Sequence, residues 1–352
     1  MTPDSYTFLE AFSKFIFFAF LVLFGLVVFG LATLWFFQNE IIYPANVPAN
    51  SKENVPLPSQ YNLDNFEDVR IRANDKVVIR GYLIKRPTDE ETTKADTILY
   101  LHANSGNMGH RLPIAKALYE ALGCNVFMLS YRGYGLSGGH ASESGIKLDI
   151  EAAISYLRSN PLTQNSRVVI FGQALGGAVG IDTISKFENE FAGLILENTF
   201  LSVPELFAYM MPLIKWAKLL VMENWNSEKK IKEINKVPIL FLTGEKDEVN
   251  PPKSMETLYE IAKSNTECKT QFKSFPNGRH NDTCTQEGYF ETISEWWNTF
   301  ITPQQPYKQT GVFDNMFPKQ VKLKMKQKPR DVEESEKPLL EAQDTSSKVK
   351  EE

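Results

Sequence analysis

The sequence predicts an α/β protein with a mostly parallel sheet, preceded by one N-terminal membrane helix. Short apolar runs alternate with helical patterns over most of the chain, which is typical of parallel strands joined by helices. Before them, residues 15–37 form an apolar run without a charge. A chain of 352 residues with 43% hydrophobic side chains is long enough for one large domain with extensions.

The composition argues against nucleic acid as a partner. A net charge of −5 and a pI near 5.6 provide no general basic field. The three cysteines, Cys124, Cys268 and Cys284, are too few and too scattered for a disulfide framework or a metal cluster. We therefore expect no cofactor, no metal and no nucleic-acid ligand.

The run at residues 15–37, FIFFAFLVLFGLVVFGLATLWFF, predicts an uncleaved transmembrane signal-anchor. At about 1.5 Å per residue it spans roughly 34 Å, enough to cross a hydrocarbon core of about 30 Å. A cleaved signal peptide is the alternative. Its apolar stretch would be shorter and would end in small residues, whereas this run ends in Trp35, Phe36 and Phe37.

Residues that flank this run indicate its orientation in the membrane. Residues 1–14 form an N-terminal tail that ends in Lys14, and the next cation after the run is Lys52. This distribution favours a cytoplasmic N terminus, which makes a single-pass type II membrane protein with the lipid bilayer as a partner. Trp35 and Tyr43 are expected at or near the interface.

Residues 38–60 are rich in Pro and Asn and predict a linker. The globular domain follows at residues 61–302 and starts with a hairpin at residues 69–84, where apolar positions alternate around an Asn-Asp pair. The further predicted strands are TILYLH, NVFMLSY, RVVIFG, AGLILE, VPILFLTG and TQFKSFP. Helical patterns separate most of them, so we expect helices on both faces of the sheet.

Two segments depart from this alternation. Residues 200–234 contain ELFAYMMPLIKWAKLLVMENW between two strands and predict a small helical lid over the C-terminal edge of the sheet. Residues 303–352 are rich in Lys and Glu and poor in aromatic side chains, which predicts a disordered tail. Six cations at residues 319–330 leave open a contact with an anionic membrane surface as the alternative to a solvated tail.

FGQALGGAVG, at residues 171–180, has the spacing of a nucleophile turn, G-x-S-x-G, with Ala174 where serine is expected. A predicted strand precedes it and a helical pattern follows, as such a turn requires. Gly172 and Gly176 meet the need for small residues where the turn crowds neighbouring backbone. Ala174 is therefore the predicted nucleophile position, without a nucleophile.

Asp247 and His280 follow the last two predicted strands, in the chain order of nucleophile, acid and histidine. His280 would take the nucleophile's proton, and Asp247 would fix the tautomer of His280 and stabilise its imidazolium. The loop at residues 101–111, LHANSGNMGHR, follows an early strand and is called the oxyanion loop below. We expect the backbone N–H groups of Asn104 and Leu175 to form an oxyanion hole.

With these motifs the chain resembles the membrane-anchored alpha/beta hydrolase domain-containing proteins. The resemblance rests on HANSGNMGHRLP, SYRGYGLSGG, FGQALGGAVG, ENTFLSVP, TGEKDEVNPP and FPNGRHNDT, and it extends from the anchor to about residue 302. It implies an α/β-hydrolase fold with an eight-stranded sheet and a Ser-His-Asp site for acyl esters or thioesters. Related branches remove palmitate from membrane proteins, so a lipidated protein is one candidate substrate. Ala103 and Ala174 depart from the family pattern.

Ala174 makes the activity uncertain, because a methyl group can neither attack an acyl carbon nor give a proton to His280. Ser105, Ser137 and Cys124 are unconvincing substitutes, because Ser105 belongs to the oxyanion loop, Ser137 belongs to another loop and Cys124 precedes a strand. Three accounts remain open. The chain is a serine hydrolase or thioesterase whose serine was replaced, a natural pseudoenzyme that binds acyl chains or presents a membrane-tethered interaction surface, or a structural anchor. The retained Asp247 and His280 place the third account last.

Overall fold

The computed structural model describes residues 3–265, 267–305 and 307. Eight strands form one sheet: β1 (Phe66–Arg72), β2 (Val78–Ile84), β3 (Thr97–Leu101), β4 (Asn125–Ser130), β5 (Val168–Gln173), β6 (Gly193–Glu197), β7 (Ile239–Gly244) and β8 (Thr270–Phe275). Their order is β1-β2-β4-β3-β5-β6-β7-β8. β2 pairs antiparallel with β1 and β4, and all other neighbours are parallel. The predicted fold class and hairpin are confirmed.

The described residues contain nine α-helices: α1 (Pro3–Ile42), α2 (Asp89–Lys94), α3 (Leu112–Leu122), α4 (Glu143–Ser159), α5 (Leu175–Phe187), α6 (Val203–Met210), α7 (Ser227–Lys230), α8 (Pro252–Ser264) and α9 (Tyr289–Phe300). Helices α4, α5 and α8 pack on one face of the sheet, while α3 and α9 pack on the other. Every residue of β3 to β7 is buried. Strands covered on both faces explain why their sequences are continuous apolar runs.

The predicted lid consists of α6, a short 3₁₀ segment at Pro212–Leu220 and α7. Ser202 caps α6 by accepting a hydrogen bond from the Glu205 N–H at 3.3 Å. The 3₁₀ segment is kinked at Ile214, where φ is −122° and ψ is 29°. These short elements lie between β6 and β7 in the chain, as the sequence predicts.

Helix α1 is apolar and long enough to cross a membrane from Glu10 to Ile42. It continues past the predicted span at residues 15–37 into the predicted linker. Most of its described side chains are exposed, but Leu31, Leu34 and Gln38 are half-buried. Their spacing of three and four residues places them on one face of the helix. This face of the C-terminal part of α1 packs against the globular domain.

Tyr43, at the end of α1, is buried in the protein. Its hydroxyl donates a hydrogen bond to the Glu223 carboxylate and accepts one from Trp225 Nε1 at 2.8 Å. Gln38 Oε1 accepts a further hydrogen bond from the Met222 N–H at 2.7 Å. Tyr43 therefore ties α1 to the end of the lid, and its expected position at or near the membrane interface stays a prediction.

The buried ion pair between Arg158 and Glu190 lies outside the candidate site and stabilises the fold. Arg158 Nε donates to Glu190 Oε2 at 3.0 Å, and both side chains are almost fully buried. We expect Arg158→Met to lower the free energy of unfolding by about 3–5 kcal/mol, because it leaves the buried Glu190 carboxylate without its cation. Urea unfolding of the full chain in detergent, followed by tryptophan fluorescence, measures this change.

Lys94→Met is the matched control, because Lys94 pairs with Glu90 at 2.6 Å while both side chains are more than 70% exposed. We expect this variant to change the free energy of unfolding by less than about 1 kcal/mol. Equal stabilities of the two variants would contradict the assignment of Arg158 as a buried structural group.

Candidate active site

Ala174 occupies a strained turn between β5 and α5. Its φ of 49° and ψ of −109° lie in a region that side-chain-bearing residues rarely adopt. A Cβ atom at Gly172 would lie 2.4 Å from the Gly176 carbonyl oxygen, and one at Gly176 would lie 1.9 Å from the Leu101 carbonyl oxygen. The sequence prediction that both glycines are needed is confirmed, because a side chain at Gly172 would clash with the backbone of α5 and one at Gly176 would clash with β3.

Asp247 and His280 are brought into direct contact. His280 Nδ1 lies 2.9 Å from Asp247 Oδ2 and 3.1 Å from Oδ1, and each residue is only 6% exposed. Asp247 Oδ1 also accepts hydrogen bonds from the N–H groups of Val249 and Asn250, both at 2.8 Å. These donors fix the carboxylate, so that it receives the Nδ1 proton of His280 and leaves Nε2 as a proton acceptor.

Asn198, at the end of β6, connects the two loops that carry this pair. Its Nδ2 donates to the His280 carbonyl oxygen at 3.2 Å, and its Oδ1 accepts from the Gly244 N–H at 2.9 Å. The Asn198 carbonyl oxygen accepts from Asn250 Nδ2 at 2.6 Å. Sequence reasoning assigned no role to Asn198, although it lies in ENTFLSVP, one of the motifs that carry the family resemblance. It is a positioning residue for the Asp247–His280 pair.

Glu197 is fully buried directly beneath the turn. Its carbonyl oxygen accepts a hydrogen bond from the Ala174 N–H at 2.8 Å. Its carboxylate accepts one from Gln173 Nε2 at 2.8 Å and one from the Tyr289 hydroxyl. Burial raises the pKa of this carboxyl. Glu197 thus links β6 to the strand that carries the predicted nucleophile position, a role that sequence reasoning missed.

The two predicted oxyanion donors belong to residues that line the same cavity as Ala174. Leu175 is the first residue of α5, so its N–H has no acceptor within the helix and lies at the positive end of the helix dipole. Asn104 follows β3 in the oxyanion loop. Its carbonyl oxygen accepts from the Tyr134 hydroxyl at 2.7 Å, and its Nδ2 donates to the Ile42 carbonyl oxygen at 3.0 Å. The end of α1 therefore helps to hold the oxyanion loop.

The segment after α1 adds further contacts to this loop. Gly106 N–H donates to the Val47 carbonyl oxygen at 2.6 Å. Asn107 Nδ2 donates to the carbonyl oxygens of Ser51 and Asn54 at 2.8 and 2.9 Å. The predicted linker is thus hydrogen-bonded to the oxyanion loop over several residues.

A cavity of about 270 Å³ joins these groups to the lid and to α1. Its polar lining comes mainly from Asn104, Asn250 and His280, and Ala174 and Leu175 also line it. Gln38 of α1 adds one further polar side chain, and most of the other walls are aliphatic, aromatic or methionine side chains from α1 and the lid, among them Leu31, Leu34, Leu206, Phe207, Met210 and Leu220. The cavity therefore suits an apolar chain that ends in a polar group beside His280.

The substitute nucleophiles considered from the sequence do not line this cavity. Ser137 is buried and donates to the Ser130 carbonyl oxygen at 2.8 Å. Cys124 is buried, and burial raises the pKa of its thiol to about 12. Within the described part of the chain, no cluster of three His, Cys, Asp or Glu side chains is arranged to hold a metal ion.

His102 is a structural residue of the oxyanion loop. Its ring packs against Tyr131 and Tyr134, with centroid distances of 4.3 and 5.0 Å, and Nδ1 donates to the Ala103 carbonyl oxygen at 2.6 Å. Burial lowers its pKa to about 3, so the ring is neutral. It does not line the cavity.

The chain is similar to a set of eukaryotic proteins along most of its length. It is 42% identical to protein bem46 of Schizosaccharomyces pombe, covering 77% of this chain and 89% of that protein. It is 37% identical to alpha/beta hydrolase domain-containing protein WAV2 of Arabidopsis thaliana, covering 82% of this chain and 96% of that protein. It is also 37% identical to uncharacterized membrane protein YNL320W of Saccharomyces cerevisiae, covering 77% of this chain and 93% of that protein. The family described as serine aminopeptidase S33 matches residues 93–235.

A solved structure, the Pyrococcus furiosus esterase Pf2001, has the same fold. The TM-score is 0.59 at 19% identity, over 71% of this chain and 96% of the esterase chain. The fold and the sequence relatives agree with one another. The protein belongs to the alpha/beta hydrolase family.

Backbone strain at Ala174 should lower the free energy of unfolding, so a residue that relieves the strain should raise it. We expect Ala174→Gly to raise the free energy of unfolding by about 1 kcal/mol, because glycine relieves roughly 1–3 kcal/mol of strain and costs about 0.5–1 kcal/mol in chain entropy. The control is the same change one turn later, Ala178→Gly in α5, which we expect to lower the free energy of unfolding by about 1 kcal/mol. Urea unfolding compares the variants, and destabilisation by Ala174→Gly would show that the turn is unstrained.

Proposed function

We propose that this protein binds the acyl chain of an ester or thioester and holds the acyl carbonyl against a hydrolase site that lacks its serine. The observation that supports this most directly is the apolar cavity, whose lining includes Ala174 and His280. In such a cavity the chain occupies the apolar part, while the carbonyl group lies near the N–H groups of Asn104 and Leu175.

The arrangement of the site supports acyl transfer if a hydroxyl is present at position 174. The hydroxyl oxygen would attack the acyl carbon while His280 Nε2 takes its proton. Asp247 would stabilise the resulting imidazolium, and the N–H groups of Asn104 and Leu175 would bind the oxyanion. His280 would then give the proton to the leaving alcohol or thiol, and water would release the acyl group in a second, equivalent step.

With alanine at position 174 this covalent route is closed. In subtilisin, loss of the serine alone costs about 10⁶ in kcat, whereas the oxyanion hole and binding retain roughly 10³–10⁴ over the uncatalysed rate. We therefore expect the chain as it stands to bind its ligand and to turn it over very slowly or not at all. The otherwise complete site favours a serine hydrolase whose serine was replaced. A natural pseudohydrolase that binds acyl chains is the second candidate function, and the methyl group at position 174 favours it.

The ligand class follows from the cavity and from α1. The cavity walls carry few polar groups apart from those near Ala174, which favours an acyl chain over a peptide or a sugar. Helix α1, as a membrane anchor, would keep the site at the bilayer, where lipid esters and lipidated proteins are found. Both ligands present the same acyl carbonyl to the site.

Restoring the nucleophile tests the proposed chemistry. We expect Ala174→Ser to raise the rate of hydrolysis of a medium-chain p-nitrophenyl ester by at least about a thousandfold, because the remaining groups are already positioned. The assay uses the full chain in detergent micelles, since Leu31, Leu34 and Trp35 of α1 contribute to the cavity wall.

Two further variants in the Ala174→Ser background separate the roles of the partners. His280→Gln should remove the gained activity, because it takes away the general base. Asn198→Ala should reduce kcat with little effect on KM, because it only loosens the Asp247–His280 pair. If Ala174→Ser binds the ester but does not hydrolyse it, the hydrolase account is refuted and the acyl-binding account remains.

Acyl binding by the unchanged chain is tested separately. We expect a fluorescent long-chain fatty acid to bind at micromolar concentration and Leu206→Glu to weaken its binding at least about tenfold, because a buried charge would face the apolar chain. Tyr209→Glu is the matched control, since Tyr209 lies on the same helix, is 54% exposed and does not line the cavity. Equal binding by the two variants would exclude this cavity as the acyl site.

A further inference from the structure

The outer surface of the lid is strongly apolar. Leu213 is 95% exposed, Leu219 is 85% exposed and Trp216 is 54% exposed, all within the 3₁₀ segment at Pro212–Leu220. Trp216 and Leu219 are three residues apart, so they share one face of the 3₁₀ turn. Met222, 68% exposed, continues this surface. A contiguous group of large apolar side chains at such exposure marks an interaction surface.

This surface begins where the apolar part of α1 ends. Met222 N–H is hydrogen-bonded to Gln38 of α1, one turn after Trp35. Leu31 and Leu34 lie within the predicted membrane span, yet they line the same cavity as Met210 and Leu220 of the lid. From Leu31 to the end of that span, α1 rises by only about 9 Å. The lid therefore lies at the depth of the last turns of the span.

We propose that the outer face of the lid, formed by Leu213, Trp216, Leu219 and Met222, inserts into the bilayer surface beside α1. The continuity of this face with the apolar surface of α1 identifies the occupant as lipid. Trp216 belongs to the residue type that prefers the membrane interface, and the neighbouring Lys215 is exposed and can reach lipid phosphates. The lid and α1 then enclose the cavity at the membrane surface.

This placement gives the ligand a route to the site. The cavity has α1 and the lid as walls and includes Ala174 and His280 in its lining, so an acyl chain leaving the bilayer between α1 and the lid stays in apolar surroundings. The ligand would be a lipid or lipidated molecule that remains in the bilayer. This part of the inference rests on the proposed function, whereas the docking of the lid does not.

A fluorescent label tests the docking directly. The full chain is placed in phosphatidylcholine vesicles with an NBD label on Leu219→Cys, in a Cys284→Ser background because Cys284 is the half-exposed thiol among the three cysteines. We expect blue-shifted emission that loses more than half its intensity when doxyl-labelled lipids are included. The control label is on Lys253→Cys in α8, whose side chain is 80% exposed, and it should not respond.

Quenching at position 219 no stronger than at position 253 would overturn the docking. A blue shift that depends on protein density and is insensitive to doxyl lipids would overturn it as well, because it would indicate a protein partner or a second copy of this chain.

Activity in the Ala174→Ser background tests the route. Leu213→Glu combined with Leu219→Glu should reduce turnover of a long-chain ester embedded in vesicles at least about tenfold, because charged side chains resist insertion. Turnover of a soluble short-chain ester should stay unchanged, since neither residue lines the cavity. An equal loss with both substrates would refute the route. If Ala174→Ser cleaves neither substrate, the proposed hydrolase chemistry fails, and the NBD label still tests the docking separately.

Discussion

The strained turn at Ala174 is the constraint on which the rest of the site depends. Gly172 lets β5 approach the start of α5, and Gly176 lets α5 approach the end of β3, so closely that no Cβ atom fits at either position. This approach fixes the start of α5 and with it the Leu175 N–H, whichever side chain occupies position 174. The turn stores strain of about 1–3 kcal/mol, which is typical of a functional site rather than of a connecting loop. The geometry of a nucleophile turn is present without its nucleophile.

The second constraint is the contact of α1 with the domain. Through Ile42 and Tyr43, α1 is hydrogen-bonded both to the oxyanion loop and to the end of the lid. A helix that only tethered the domain would require none of these contacts. Helix α1, the lid and the site thus form one structural unit, in which apolar side chains of α1 and the lid line the cavity. The proposed uptake of a ligand from the bilayer depends on this arrangement.

Much of the fold and of the predicted site followed from local patterns. Alternating strands and helices define the sheet, and Asp247 and His280 lie together because both follow neighbouring parallel strands at the same edge. The roles of Asn198 and Glu197 depend on hydrogen bonds between segments distant in the chain, which no local pattern encodes. The packing of α1 against the domain could not be predicted either, because residues 15–37 are apolar on every face and show no preferred packing surface. The predicted tail contact at residues 319–330 lies outside the described residues.

The central claim is that the chain holds a complete acyl hydrolase site from which one hydroxyl is missing. The most direct test is to treat Ala174→Ser with a long-chain alkyl fluorophosphonate, which phosphonylates an activated serine, and to locate the adduct by mass spectrometry. The account predicts rapid modification at position 174 that is lost when His280→Gln is added and slowed when free fatty acid fills the cavity. No adduct at position 174, or one that forms equally fast without His280, would contradict it.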